Sequence, residues 1–402
     1  MQSFDIIVVG AGIVGLVQAL ALKNSGLKVA VIDSQPPPQV PEGEPRHRVS
    51  ALTLASQNVL HALGAFAQIS KQRSAAYCGM SVWERDSFGH IEFNAQDVEQ
   101  AYLGYIVENQ AVQASLWQQA VEAEFISLFS SCQIDKLALS SQGNFISLSD
   151  ERMLSARLVI GADGANSLVR KQANFPLTYW DYDQHAIVAT VKTVTPHDNI
   201  ARQIFTPTGP LAFLPLWQTN YCSVVWSQDE AEASRLLQLS AEDFNKALTV
   251  AFDNQLGLTE LVSDRQSYPL KMRYARQWVA DGVVIVGDAA HTIHPLAGQG
   301  ANLGIMDAAA LAEQIDNLVK ADKDFALAKN LRPFERWRKT EAVKMIATME
   351  GLKRLFSGSN NTKKFIRDAG LASVNRFSQS KRVLVKNAMG LAGELPALAK
   401  SK

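Results

Sequence analysis

The sequence predicts an α/β chain in which a nucleotide-binding domain built on a parallel sheet is interrupted by an antiparallel β-sheet and followed by a helical C-terminal region. Three observations predict it. Residues 4–33 read strand, glycine turn, helix and strand without interruption, from "FDIIVVG" through "IVGLVQALALKNSG" to "LKVAVID". The same grammar returns at 157–170, "RLVIGADGANSLVR", and at 282–315, "GVVIVGDAAHTIHPLAGQGANLGIMDAAALAEQI". Between those segments, 76–104 and 179–270 alternate aromatic and β-branched residues, as in "HAIVATVKTV" and "LAFLPLWQTNYCSVVWS", which is the pattern of half-buried strands.

The first two strands are apolar throughout, as parallel strands covered on both faces should be. "PPPQVPEGEPRH" (36–47) is a loop by composition. After it, "VSALTLASQNVLHALGAF" has helical spacing that ends near Gly64. The organisation that follows is discontinuous. Residues 1–75, 105–178 and 271–335 form the nucleotide domain, 76–104 and 179–270 an inserted β-sheet substrate domain, and 336–402 a basic C-terminal helical region.

With 47% hydrophobic and 19% charged residues among 402, the chain reads as globular. No apolar run approaches the ~20 residues that span a bilayer. The N-terminal apolar stretch belongs to the first strand and helix rather than to a leader, so a cytoplasmic protein is expected. Cys78, Cys132 and Cys222 are scattered, and give neither a disulfide framework nor a CxxC metal spacing. The charges balance at 39 basic and 39 acidic, and no nucleic-acid partner is expected. That balance conceals an asymmetry. Residues 331–402 hold 16 Lys or Arg and 5 Asp or Glu, a net of +11, which leaves −11 on the first 330.

Gly10, Gly12 and Gly15 form a GxGxxG turn. The first allows the tight turn, the second lets the backbone approach a pyrophosphate, and the third lets the helix lie close on the strand. The helix N-terminus then offers free N–H groups to phosphate. Asp33 ends the second strand, where a carboxylate accepts from adenosine ribose hydroxyls. An ADP-containing cofactor follows, either NAD or FAD. The later glycine-rich segment separates the two. Asp288 lies just past an apolar strand, and Gly298, Gly300 and Gly304 bracket Gln299 and Asn302 before a helix. A helix N-terminus there suits the negative charge of a reduced flavin, and a nicotinamide has no such need. His291 and His294 make an HxxH spacing without a third ligand, so no metal is expected.

"GAGIVG", "GADGANSLVR" and "GDAAHTIHPLAGQGANLGIMDA" resemble the three FAD motifs of the flavoprotein aromatic hydroxylases of the para-hydroxybenzoate hydroxylase type. The last motif resembles the branch that hydroxylates the prenylated phenol ring of ubiquinone synthesis. "YCGMSVWERDSFGHIEF", "VENQAVQASLW" and "PLTYWDYDQHAIVATV" resemble the members that act on 2-polyprenylphenol at C5. The likeness runs to about residue 390. It implies a Rossmann-like FAD-binding domain with an inserted antiparallel substrate domain. It also implies the reaction: NAD(P)H reduces the flavin, O₂ adds at C4a, and one oxygen passes to the ring. By position, it implies that Asp33 binds the adenosine ribose and that Arg48 approaches the pyrophosphate, with Arg46 two residues away as the other candidate. Asn109 falls near the ribityl chain, and Asp163 and Gly164 form the turn linked to FAD and the nicotinamide donor. Asp288 meets the ribityl or ribose hydroxyls, and Pro295, Gly298 and Gly300 shape the isoalloxazine wall. No catalytic base is implied, because the cofactor carries the difficult step.

Trp180, Tyr182, Phe205, Phe213, Trp217 and Trp226 either wall a substrate cavity or, as aromatics in sheets more often do, fill the core. Met345, Met349, Leu352 and Phe356 recur at helical spacing beside Lys344, Lys353 and Arg354. Two readings stand for this stripe: it rests on an anionic leaflet, as a polyprenylated substrate would suit, or it packs on the catalytic body. Its charge then pairs with the −11 of the body or with a partner such as another protein of the pathway; a homo-oligomer is also open. Competing readings of the whole chain are a hydroxylase of another ring position, an isoprenoid reductase or halogenase on the same scaffold, and a non-catalytic flavin-bound assembly subunit. A halogenase would carry a WxWxIP-like segment that the sequence lacks.

Overall fold

Five strands lie side by side in parallel, in the order Val283–Ile285, Met153–Gly161, Gln2–Val9, Val29–Ile32 and Ile126–Phe129. This is the computed structural model of the chain, and it describes residues 1–45, 48–69, 73–87, 89–140, 143–293, 299–356 and 378–400. Ile6, Ile7, Val8, Val29 and Ala30 are fully buried, as a sheet covered on both faces requires. The helices Ile13–Ala21 and Gln299–Lys320 pack on each other and on this sheet. Glycine makes that packing possible. A Cβ at Gly15 would collide with Gly10 O, and one at Gly304 would meet Val14 Cγ2 at 2.7 Å.

A second, largely antiparallel sheet runs in the order His291–Thr292, Gln266–Ala275, Leu177–Thr193, Tyr221–Asp229, Gly209–Pro215, Ile200–Thr206, Gly79–Glu84 and His90–Asn94. Its edge is shared with the nucleotide domain: Tyr274 pairs with His291 and Arg273 with Thr292. The fold class expected from the sequence is therefore the one observed. One local reading was wrong. Residues 49–66 are not helical throughout, because Val49–Thr53 is a strand paired with Gly104–Glu108, and the helix begins only at Leu54, capped by the Thr53 hydroxyl.

The faces of this sheet settle several aromatics. Ile187, Ile204, Phe213, Val224 and Trp226 point into a core under the helices Glu230–Gln238 and Ala241–Ala251. Phe213 and Trp226 thus fill the core rather than wall a cavity. Phe205 faces the other way and stacks on Phe356 with ring centroids 4.0 Å apart. Phe356 ends a 29-residue helix, Ala328–Phe356, which runs straight through position 336, where the composition changes. Met345, Met349 and Leu352 pack with Phe205 and Val82. The apolar stripe therefore lies on the catalytic body, not on a leaflet. Residues 378–400 are built in as well: Val385 and Met389 join a core with Tyr77, Leu103 and Ile106.

Candidate active site

The glycine turn begins at Gly10, whose φ of +103° only glycine adopts freely. Asp33 closes the turn from the neighbouring strand: its Oδ2 accepts from Ala11 N–H at 2.6 Å and its Oδ1 from Gln35 N–H at 2.8 Å. A carboxylate has about four acceptor positions, so two remain for sugar hydroxyls. Gly12 caps the helix Ile13–Ala21 without a side-chain bond, which leaves the first helical N–H groups open. A Cβ on Gly12 would meet nothing within 4 Å. The space beside the turn is empty of protein.

Asp163 and Gly164 lie across from this turn. Asp163 Oδ2 accepts from Leu168 N–H at 2.6 Å and Val169 N–H at 3.1 Å, while its buried Oδ1 has no partner among the described residues. Gly164 has φ +77°, and it too faces open space. Arg170, the last residue of the "GADGANSLVR" motif, joins the turns. It donates from Nη2 to Ala165 O and from Nη1 to Ala289 O, both at 2.8 Å. Sequence reasoning passed over Arg170, although a buried arginine at the end of a quoted motif was a usable signal.

Asp288 sits in the short turn Gly287–Ala289 after the strand Val283–Ile285. Its surface is exposed, yet protein closes in around it, and burial lifts its carboxyl above the ordinary range despite the opposing charges of His291, Arg48 and Arg273. An exposed acid among so much protein marks the wall of a crevice. Arg48 is near enough for its charge to act on Asp288, and its guanidinium lies 5.5 Å from the Tyr268 ring centre. Asn109 opens the helix Asn109–Val121; its Oδ1 accepts from Ser50 Oγ at 2.7 Å, and its N–H donates to Arg48 O at 3.1 Å.

Asn302 stands at the junction of two elements. Its side chain is buried, with Oδ1 accepting from Thr53 N–H at 3.0 Å and Nδ2 donating to Ala51 O at 2.8 Å. Both ends serve the protein backbone, so the Asn302 side chain ties the strand Val49–Thr53 to the helix Gln299–Lys320. Gly300, the second residue of that helix, has open space at its Cβ position. Arg46, His294, Pro295 and Gly298 lie outside the described residues, as does the side chain of Gln299.

Residues 3–330 match the family model of an FAD binding domain. The chain is 34% identical to the 3-demethoxyubiquinol 3-hydroxylase of Escherichia coli K12 over 97% of its own length and 99% of that enzyme's. It is 33% identical to the ubiquinone hydroxylase UbiL of Rhodospirillum rubrum, over 96% of this chain and 89% of that one. The chain belongs to the FAD-dependent hydroxylases of ubiquinone biosynthesis. Its fold is that of the p-nitrophenol 4-monooxygenase PnpA of Pseudomonas putida, with a TM-score of 0.79 at 17% identity over 97% of this chain and 99% of that one.

The residues of this flavoprotein hydroxylase fit its cofactor. Open glycines at 12, 164 and 300, an uncapped helix N-terminus, spare acceptors on Asp33 and an orphaned buried oxygen on Asp163 are what a dinucleotide would complete. When bound, FAD supplies the redox chemistry, taking electrons from NAD(P)H and passing one oxygen atom of O₂ to the substrate. The protein's own part is to bind, orient and exclude water.

Proposed function

We propose that this hydroxylase acts on the ring of a polyprenylated quinol of the demethoxyubiquinol type, a ring position other than C5 of 2-polyprenylphenol. The observation that carries the reading is the 34% identity to the Escherichia coli 3-demethoxyubiquinol 3-hydroxylase across nearly the whole of both chains. The short motifs at 77–93 and 176–191 suggest C5, but they span far less sequence than that likeness. In this reading Asp33, Arg48, Asn109, Asp163, Gly164 and Asp288 contact FAD or its donor. The site works in the cytoplasm beside the membrane that holds the prenyl tail.

The test is NAD(P)H oxidation by the purified, FAD-loaded protein under ¹⁸O₂, with products weighed by mass spectrometry. A short-chain demethoxyubiquinol should stimulate turnover and gain one labelled oxygen, while a 2-prenylphenol should do neither. Labelling of the 2-prenylphenol alone would restore the C5 reading. Bound flavin with no substrate-dependent oxidation would favour the non-catalytic assembly subunit.

A further inference from the structure

A buried ionic network under the Asp288 turn has no part in the reading above. Asp307, on the helix Gln299–Lys320, is fully buried. Its Oδ2 accepts from His291 Nε2 at 2.5 Å and from Gly287 N–H at 3.3 Å, and its Oδ1 accepts from Arg338 Nε at 2.8 Å. His291 and Arg338 are 1% and 2% exposed. Burial alone pushes the Asp307 carboxyl up, but the charges of His291 and Arg338 outweigh it and hold the group below its ordinary range. Three ionisable groups out of water are a poor source of stability, since an apolar cluster of similar volume often does as well or better. What such a network gives is direction.

The directions converge on one turn. Gly287 and His291 stand one residue before and three after Asp288, and both are held by the same carboxylate oxygen of Asp307. Arg170 Nη1 on Ala289 O is a third brace. The Asp288 carboxylate itself makes no hydrogen bond to any described residue, and it is exposed. A free acid on a turn fixed at three points is prepared for a ligand from outside the protein. Arg338 brings in the long helix Ala328–Phe356. One turn earlier on that helix Glu335 accepts from Trp278 N–H at 2.8 Å, and the Trp278 ring lies 5.2 Å from that of His291.

We propose that Asp307, oriented by Arg338 and acting through His291 and the Gly287 N–H, is the positioning residue that aims Asp288 at the sugar hydroxyls of FAD. The proposal rests on the assignment of Asp288 to the cofactor. The test is a double-mutant cycle on the full chain, read as the FAD dissociation constant by flavin fluorescence. His291→Leu should weaken FAD about tenfold in the native background, and His291→Gln, which keeps a donor, should restore most of the affinity. In the Asp288→Ala background the same His291→Leu change should alter affinity by less than about twofold, because the group it positions is gone.

Asp307→Asn paired with Arg338→Met avoids stranding a buried cation, and it should show the same dependence on Asp288. Equal fold-changes in both backgrounds, with Asp288→Ala itself weakening FAD, would overturn the proposal and leave the cofactor assignment standing. An Asp288→Ala variant that binds FAD as tightly as the native chain would overturn both.

Discussion

Gly12 separates folding from cofactor binding at a single residue. Its Cβ position is open, so Gly12→Val should fold with a thermal midpoint close to the native apoprotein. The same side chain would stand where the pyrophosphate approaches, so FAD occupancy should collapse, read as 450 nm absorbance per chain. Full occupancy would refute the role of the glycine turn. Gly15 offers no such separation, since a Cβ there collides with Gly10 O. Gly10, Gly12, Gly15 and Asp33 were legible because their chemistry is local: fixed spacing on a strand, turn and helix places them. The partners of the Asn302 amide were not legible, because spacing puts a residue on a helix but does not say that its side chain reaches Ala51 O and Thr53 N–H. Asp307, His291 and Arg338 were invisible as a set, because they come together only when two helices and a turn are packed.

Two elements hold the antiparallel sheet in place, and each carries a prediction. The first is the helix Ala328–Phe356, which sets Phe356 on Phe205 and Lys353 Nζ 4.0 Å from the Tyr182 ring centre. Removing the Phe356 ring leaves a cavity at a helix end that can partly settle, so Phe356→Ala should cost about 3 kcal/mol, the low end for such changes. A lowered thermal midpoint with unchanged FAD affinity is the expected pair of results. The stripe itself was legible in the sequence as a helical face, but its partner Phe205 was not, since sequence alone cannot say which surface covers it. The second element is the loop from Val194 to Asn199, pinned by buried His197. Its Nδ1 accepts from Asn199 N–H at 3.0 Å, and its Nε2 faces Leu216 O and Gln218 O at 3.0 Å each, so the neutral ring with its proton on Nε2 is the one that fits. Burial holds its pKa below the ordinary 6.5. The unfolded chain therefore binds the proton first. The stability is fully present above 6.5 and is lost as the pH falls from there through the folded value. The thermal midpoint should decline more steeply between about pH 7.5 and about pH 5.5 in the native chain than in His197→Gln; parallel declines would remove His197 as the cause.

Across the whole molecule two opposed charges face each other, −11 on the first 330 residues and +11 on the rest. Among the described residues, the ion pairs of Arg332, Lys339, Lys344 and Arg354 close within their own helix, while Arg338 pairs with Asp307 of the body and Lys353 lies within the field of Asp181 and Asp183. On the helix Ser378–Ala388, Arg382 and Lys386 are exposed beside Val383 and Leu384, at 60% and 44% exposure. This is the surface that an anionic leaflet would meet, at about 1 kcal/mol for each Lys or Arg near it. Deleting the tail would not test this, because Val385, Met389 and Ala399 belong to the core. Neutralising Arg382 and Lys386 to Gln gives up one exposed bond, from Arg382 Nε to Asp97 O at 3.1 Å, and keeps Val385 and Met389 in the core. It should remove about 2 kcal/mol of attraction, roughly thirty-fold in partition to anionic vesicles and little to zwitterionic ones. The measurement is flotation of the full chain and the double variant with each vesicle. Equal flotation of the two proteins on anionic vesicles would assign the positive surface to a protein partner instead.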